Sequence, residues 1–250
     1  MPEPIVEDRA GIRWITLNRP DQLNAMTRDD LPVLTRAVAS VPSDIGAIVL
    51  AGAGTRAFSS GVHVEVFDGL SPTDARSFIT ELGGVMRAVR GASVPSICAI
   101  QGYCLGGAME LAMACDLRVA SSEAVFGMPE IQVGLPSVLD AALLSQYIGR
   151  SKAREMLLTG ELYPVGAFDG TGFLNAIVVP DQLREAAGQM AERVGRHARP
   201  AMAAQKRLFE TWDEVGHEAA VAASIGEFAE VFGHPETLER VAAYRRARKK

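Results

Sequence analysis

Residues 96–136, SICAIQGYCLGGAMELAMACDLRVASSEAVFGMPEIQVGLP, decide how this chain is read. The opening run, 96–101, is apolar in the manner of a buried strand. Gly102 and Tyr103 make a turn, and after Gly106-Gly107 a helical apolar pattern begins, carried by Leu111, Ala112 and Cys115. The first turn of a helix leaves backbone N–H groups unpaired at the positive end of its dipole, so that end can hold developing negative charge. Glycines there let a ligand atom come close to the backbone. Glu110 stands one turn on, in a segment otherwise made of Ala, Met, Leu and Cys. Glu130 follows Phe126-Gly127-Met128-Pro129 and precedes Ile131. If the fold brings these two carboxylates together, they can share one water molecule.

The flanks alternate strand and helix. Residues 5–8 and 12–17 read as two strands joined through Arg9-Ala10-Gly11, a hairpin. Asn18-Arg19-Pro20 stops the second. Thr27 reads as the N-cap of a helix marked by Leu31, Leu34, Val38 and Val41 and ended by Pro42. Residues 45–51 form a short buried strand. The turn at 52–61 is rich in glycine but lacks the Gly-Lys-Ser/Thr ending and the glycine spacing of nucleotide loops. Residues 72–90 are helical, with Phe78, Ile79, Leu82, Met86 and Val89 in phase. Residues 137–158 are read as helical with a break at 149–151, 177–179 as a brief strand, and the chain from Asp181 as helices broken near 199–200, 215–216 and 233–235. Strand–helix–strand order implies an α/β core with right-handed crossovers. The last two helices carry apolar sets (Val221, Ile225, Phe228; Leu238, Val241, Tyr244) that no later segment of the chain is left to cover.

At 250 residues, 48% hydrophobic and 22% charged, the chain can bury a large core without disulfides or metal. A net charge of −5 argues against a nucleic-acid partner. The basic run Arg240, Arg245, Arg246, Arg248, Lys249, Lys250 reads as a solvated helix end that suits the C-terminal dipole. Cys98, Cys104 and Cys115 form no Cys-x-x-Cys pair and read as reduced thiols. Met1-Pro2-Glu3-Pro4 is not a signal pattern, and no run approaches the roughly 20 apolar residues of a membrane helix. The four histidines show no metal spacing. The expectation is a cytoplasmic protein with no metal, no membrane and no nucleic acid.

Four motifs in order, Asn18-Arg19-Pro20 with Leu23-Asn24-Ala25-Met26, Ala57 through Val62, Gly102 through Gly107 with Glu110-Leu111-Ala112, and Phe126 through Glu130, make the chain resemble the enoyl-CoA hydratase/isomerase (crotonase) family. The resemblance implies an α/β fold, a spiral of ββα units in residues 1–195, with a C-terminal helical region, 196–250, serving oligomerisation as a homotrimer or a dimer of trimers and covering the active site. It implies an acyl-CoA thioester substrate and no cofactor beyond the coenzyme A the substrate carries. The amides of Val62 and Gly107 would form an oxyanion hole. Gln22, Leu23, Ala25, Ser59, Gly61, His63, Val64 and Gly106 would line the coenzyme A site, with His63 where the family commonly has Asp. Glu110 and Glu130 match the two catalytic glutamates of hydratases.

The resemblance leaves departures. Where many hydratases carry Pro-Gly-x-Gly-Gly, this chain has Gly134-Leu135-Pro136-Ser137-Val138-Leu139-Asp140-Ala141-Ala142, with Asp140 read as a helix-surface residue and, as the alternative, a further carboxylate of the site. The lysines common near the first motif are missing, leaving Arg19 and Arg56 as candidate phosphate contacts. The helix after Asp68 and the segment around Ser137 are expected to set acyl-chain preference. Hydration of a 2-enoyl-CoA to a 3-hydroxyacyl-CoA is the leading expectation. Double-bond isomerisation, thioester hydrolysis or decarboxylation on the same scaffold, and a catalytically silent assembly protein, are the alternatives.

Overall fold

A computed structural model describes residues 2–248; Lys249 and Lys250 of the basic run lie outside the described residues. Strands β1 (Ile5–Arg9) and β2 (Ile12–Leu17) form the expected hairpin, and α1 (Asp30–Ala39) follows. The core then repeats one unit. β3 (Ala47–Gly52), β4 (Ala57–Ser59) and α2 (Pro72–Arg90) make the first turn. β5 (Ser96–Ile100), β6 (Tyr103–Leu105) and α3 (Gly107–Ala114) make the second, and β7 (Leu117–Ser121) and β8 (Val125–Gly127) open the third. α4 (Leu144–Ile148), α5 (Arg150–Thr159), β9 (Leu162–Pro164), β10 (Ala176–Val178) and α6 (Leu183–Gly195) complete the core, and α7 (Arg199–Glu214), α8 (His217–Glu230) and α9 (Pro235–Ala247) end the chain.

The first strand of each unit joins one sheet, in the order β1-β2-β3-β5-β7-β10, and the second joins another, β4-β6-β8-β9. Pairings from β2 to β10 in the larger sheet are parallel, as are β4–β6 and β6–β8. Each turn of chain therefore advances both sheets by one strand, which is the ββα spiral. The apolar strand runs are continuous because both faces are covered. Ala47, Val49 and Ala51 meet α6 through Leu183, Ala187 and Ala191 on one side, while Ile48 and Leu50 join the larger core with Leu34, Val85 and Met86 on the other. Each fully buried Ile, Leu, Val or Met contributes about 1.5–3 kcal/mol.

Several elements differ from the sequence reading. Tyr103 belongs to strand β6 rather than to the turn, and β4 lies inside the glycine-rich 52–61 segment. Thr27 does not cap α1. The helix starts at Asp30, whose carboxylate instead accepts from the Thr27 amide (2.7 Å) and hydroxyl (3.2 Å). Ser137 and Val138 are not helical: a 3-10 turn, Leu139–Leu143, precedes α4. α2 begins at Pro72 as read, with Ser71 and Asp74 closing a reciprocal capping box.

Arg19 is buried and forms a two-pronged ion pair with Asp30, Nη2 to Oδ1 at 2.8 Å. It is thus committed to the interior and is not a phosphate contact; Arg56 is exposed. Next to it, the Asn24 side chain accepts from the Arg19 amide and donates to Ala53 O and Ala57 O, each at 2.9 Å. This network holds residues 18–30 against the start of β4. α7 is held to the core by Lys206, which donates to Asp116 Oδ2 at 2.5 Å and Val89 O at 3.2 Å. α8 buries none of its side chains, and Ile225 and Phe228 are each 68% exposed.

Asp30→Ala would leave Arg19 charged and unpaired inside the protein. Loss of one partner of a buried pair costs about 3–5 kcal/mol, so chemical denaturation is expected to show a midpoint lowered accordingly; an unchanged midpoint contradicts the structural role given to the pair.

Candidate active site

Gly106 turns the chain from β6 into α3 with φ +54°, and its amide donates to Gly127 O at the end of β8 (2.9 Å). That bond draws the segment after β8 against the start of α3. The following 3-10 turn, Pro129–Val133, begins with Glu130 beside the Gly106 backbone, so close that a Cβ on residue 106 would overlap Glu130 Oε1. Glycine is required there by both conformation and space. Glu110, one turn into α3, is 3% exposed. Arg118 of β7 fixes the far end of α3 by donating to Cys115 O (2.7 Å) and Ala112 O (3.1 Å).

On the other side, the 18–26 loop pairs with the segment after β4: Ser60 N donates to Leu23 O, Met26 N to Gly61 O and His63 N to Met26 O. Gly61 has φ +94°, and a Cβ there would lie 2.7 Å from Leu105 O and 3.3 Å from Gly107 N. Residue 62 is thereby held opposite residue 107, the Val62 side chain lying over Gly107. Among the described residues, neither the Val62 nor the Gly107 amide donates to another protein group. Both remain available to an anionic oxygen.

Val62, Gly107, Glu110 and Glu130 line one cavity of about 350 Å³, together with Gly61, Val64 and Gly106. Its remaining wall is mostly apolar. α2 contributes Phe78, Ile79 and Leu82, and the segment before α4 contributes Leu135, Pro136 and Val138. Of the residues expected at a coenzyme site, Gln22, Leu23, Ala25, Ser59 and His63 do not line this cavity. Ala25 and Ser59 are buried behind it, Ser59 Oγ accepting from Gly61 N at 3.1 Å, while Gln22 is exposed at its flank. The His63 side chain is largely covered and its Nδ1 lies 3.8 Å from Glu65.

Burial pushes the Glu110 carboxyl up to about 8, reinforced by the charges of Glu130 and Asp140 and opposed by the backbone amides of Ala141 and Val138. Burial also raises Glu130, while its own amide and the Ser137 hydroxyl pull it back. Asp140 is not on a helix surface. It is 8% exposed and forms an ion pair with Arg90, which also donates from Nε to Glu210 of α7 at 2.9 Å. Ser137, read as the start of a helix, donates to Glu130 Oε2 at 2.9 Å. Sequence reasoning missed Ser137 as a partner of Glu130 and Arg90 as the partner of Asp140; the departure of 136–140 from the glycine-rich pattern was the available signal. Such a site can hold a water between two carboxyls and an oxyanion between two amides. Among the described residues no group of three His, Cys, Asp or Glu side chains could bind a metal, and no helix is long and apolar enough to cross a membrane.

Comparison with known proteins shows the family. The enoyl-CoA hydratase/isomerase family model matches residues 7–250. A probable enoyl-CoA hydratase of Rhizobium meliloti is 36% identical over 200 residues, 79% of this chain and 77% of that one. A short-chain-enoyl-CoA hydratase of Clostridium acetobutylicum is 28% identical over 98% of this chain and 95% of its own. The crystal structure of an enoyl-CoA hydratase from Mycobacterium smegmatis superposes with a TM-score of 0.91 at 29% identity, covering 99% and 97% of the two chains.

A carboxyl that ionises near pH 4.5 when unfolded and near 8 when folded binds more protons in the folded state between those values. Its contribution to stability is therefore complete below about pH 4.5 and is lost as the pH rises toward 8. Unfolding free energy measured across that window should fall by up to about 1.4 kcal/mol per pH unit from this group, and Glu110→Gln should remove that slope. An equal slope in the variant contradicts the assignment.

Proposed function

Because the chain belongs to the enoyl-CoA hydratase/isomerase family, we propose that it adds water across the 2,3 double bond of a 2-enoyl-CoA, giving a 3-hydroxyacyl-CoA. The observation that carries this reading is that Glu110 and Glu130 line the same cavity as the unengaged amides of Val62 and Gly107. An isomerase needs one base to move a proton; hydration needs a held water as well, and two carboxyls supply it.

The thioester carbonyl lies between the Val62 and Gly107 amides. As hydroxide adds to the β-carbon, the π electrons move toward the carbonyl oxygen, and the two donors hold the charge that develops there. Each such donor contributes about 3–4 kcal/mol in favourable cases. Glu110 and Glu130 bind the water. Glu130 takes a proton from it and passes that proton to the α-carbon, so the enzyme returns to its starting state and one water is consumed. Two carboxyls this close resist ionising together, which lets the pair hold one proton while moving another.

Coenzyme A is bound along Gly61, Val64 and Gly106 at the cavity and along Gln22, Leu23 and His63 beside it, with buried Ala25 and Ser59 supporting those segments from beneath, a proposal supported by the pairing of residues 23–26 with 60–63. No further cofactor is required. The exposed apolar side chains of α8 and α9, with Leu238 and Tyr244 51% and 62% exposed, support self-association of a C-terminal region, 196–250, as a homotrimer or a dimer of trimers. Three buried free thiols suit a reducing, cytoplasmic setting.

With crotonyl-CoA, loss of absorbance from the conjugated double bond and formation of the 3-hydroxyacyl-CoA are expected from the wild type. Glu130→Gln should lower kcat on the order of 10²–10⁴-fold with little change in KM, and Glu110→Gln, which alters a group that holds the water, should lower it less. A wild type that binds the thioester and adds no water would sink the reading.

A further inference from the structure

Ser137 and Asp140 stand on the irregular stretch between the 129–133 turn and α4, and each meets a different glutamate. The Ser137 hydroxyl donates to Glu130 Oε2. A donor to a carboxylate oxygen favours the ionised form. Asp140 sits in the 139–143 turn, which packs against α3, and its charge opposes the ionisation of Glu110. Asp140 is itself buried and paired with the Arg90 guanidinium, and Glu210 in turn holds Arg90. Leu139, between them, has φ +50° and packs its side chain onto Gly83 of α2. A left-handed leucine costs about 1 kcal/mol, and this conformation orients its neighbours toward opposite partners.

We propose that Ser137 and Asp140 are positioning residues that give the two glutamates different states in the free enzyme, a carboxylate at Glu130 and a carboxylic acid at Glu110. The catalytic consequence rests on the hydratase reading; the division of protons does not. In that reading the Glu130 carboxylate accepts a proton from water as the C–O bond forms at the β-carbon, then delivers it to the α-carbon. Glu110 keeps its own proton throughout and orients the water by accepting one of its O–H bonds.

The charged groups around Glu110 are Glu130 from the 129–133 turn and Asp140 from the 139–143 turn, with Arg90 of α2 and Glu210 of α7 behind Asp140. Removing Asp140's charge therefore makes Glu110 easier to ionise, and so does the Arg90 charge left behind. Removing the Ser137 hydroxyl makes Glu130 harder to ionise. The two variants move different groups in opposite directions.

Infrared titration of the free protein reads both carboxyls without turnover, with Glu110→Gln and Glu130→Gln to assign the bands. In the wild type, a protonated-carboxyl band should vanish in Glu110→Gln and remain in Glu130→Gln with its midpoint lowered, because the Glu130 charge is gone. Asp140→Asn should lower its midpoint by about one unit or more, while Asp140→Glu should keep it. Ser137→Ala should raise the Glu130 midpoint, with Ser137→Thr restoring it. In kcat/KM profiles, Ser137→Ala then moves the acidic limb up and Asp140→Asn the basic limb down. A protonated-carboxyl band that Glu110→Gln leaves in place, or midpoints that neither variant moves, would overturn the proposal. Shifted midpoints in a wild type inactive on crotonyl-CoA would instead sink the hydratase reading and leave the proton assignment standing.

Discussion

Two carboxyl groups held in one apolar cavity cannot both ionise at ordinary cost, and this constraint organises the molecule around them. Glu110 is almost fully enclosed and Glu130 is pressed against the Gly106 backbone. Keeping them there takes every layer of the fold. The bond from Gly106 to Gly127 joins two turns of the spiral, Arg118 fixes the end of α3, and the buried Arg19–Asp30 pair with Asn24 sets the loop that presents Val62. The free amides at 62 and 107 exist because Val62 bridges to Met26 through the backbone groups of its neighbours, Gly61 O and His63 N, and Gly107 opens a helix, so neither amide has a structural partner to serve.

The same site is tied to the chain's C-terminal helices. α2 runs from the apolar wall of the cavity, at Phe78 and Leu82, to Arg90, where it meets Asp140 on one side and Glu210 of α7 on the other. Lys206 adds a second anchor to Asp116, just beyond α3. The electrostatic surroundings of Glu110 thus extend through Arg90 to the helix that leads out of the core.

The long elements were legible because they repeat a pattern. α2 was bounded by Ser71-Pro72 and its apolar phase, and the β3 and β5 runs by being apolar on both faces. The strands β4, β6, β8 and β9 were not, since each has three residues, too few for a period to register; β10, equally short, showed only through the β-branched run Ile177-Val178-Val179. The start of the 137–158 region misled for another reason: Val138, Ala141, Ala142 and Leu144 have helical spacing, while Leu139 leaves the helical region of backbone space. Glu110 and Glu130 stood out as carboxylates among apolar neighbours. Their partners did not, because Arg90 lies fifty positions from Asp140 and a serine in a loop carries no signal until its acceptor is known. Arg19 shows the converse error, a cation assigned to a ligand when an aspartate eleven residues on already claims it.

The central claim is that the paired glutamates deliver one water to a 2-enoyl thioester. Isotope tracing tests it directly: crotonyl-CoA is incubated with the protein in ¹⁸O-labelled water and, separately, in deuterium oxide, and the products are resolved by mass and NMR. The account predicts ¹⁸O on the β-carbon and one deuterium on the α-carbon, with the thioester intact. Deuterium uptake without oxygen, which marks a double-bond shift, or ¹⁸O in a released carboxylate, which marks thioester cleavage, would contradict it.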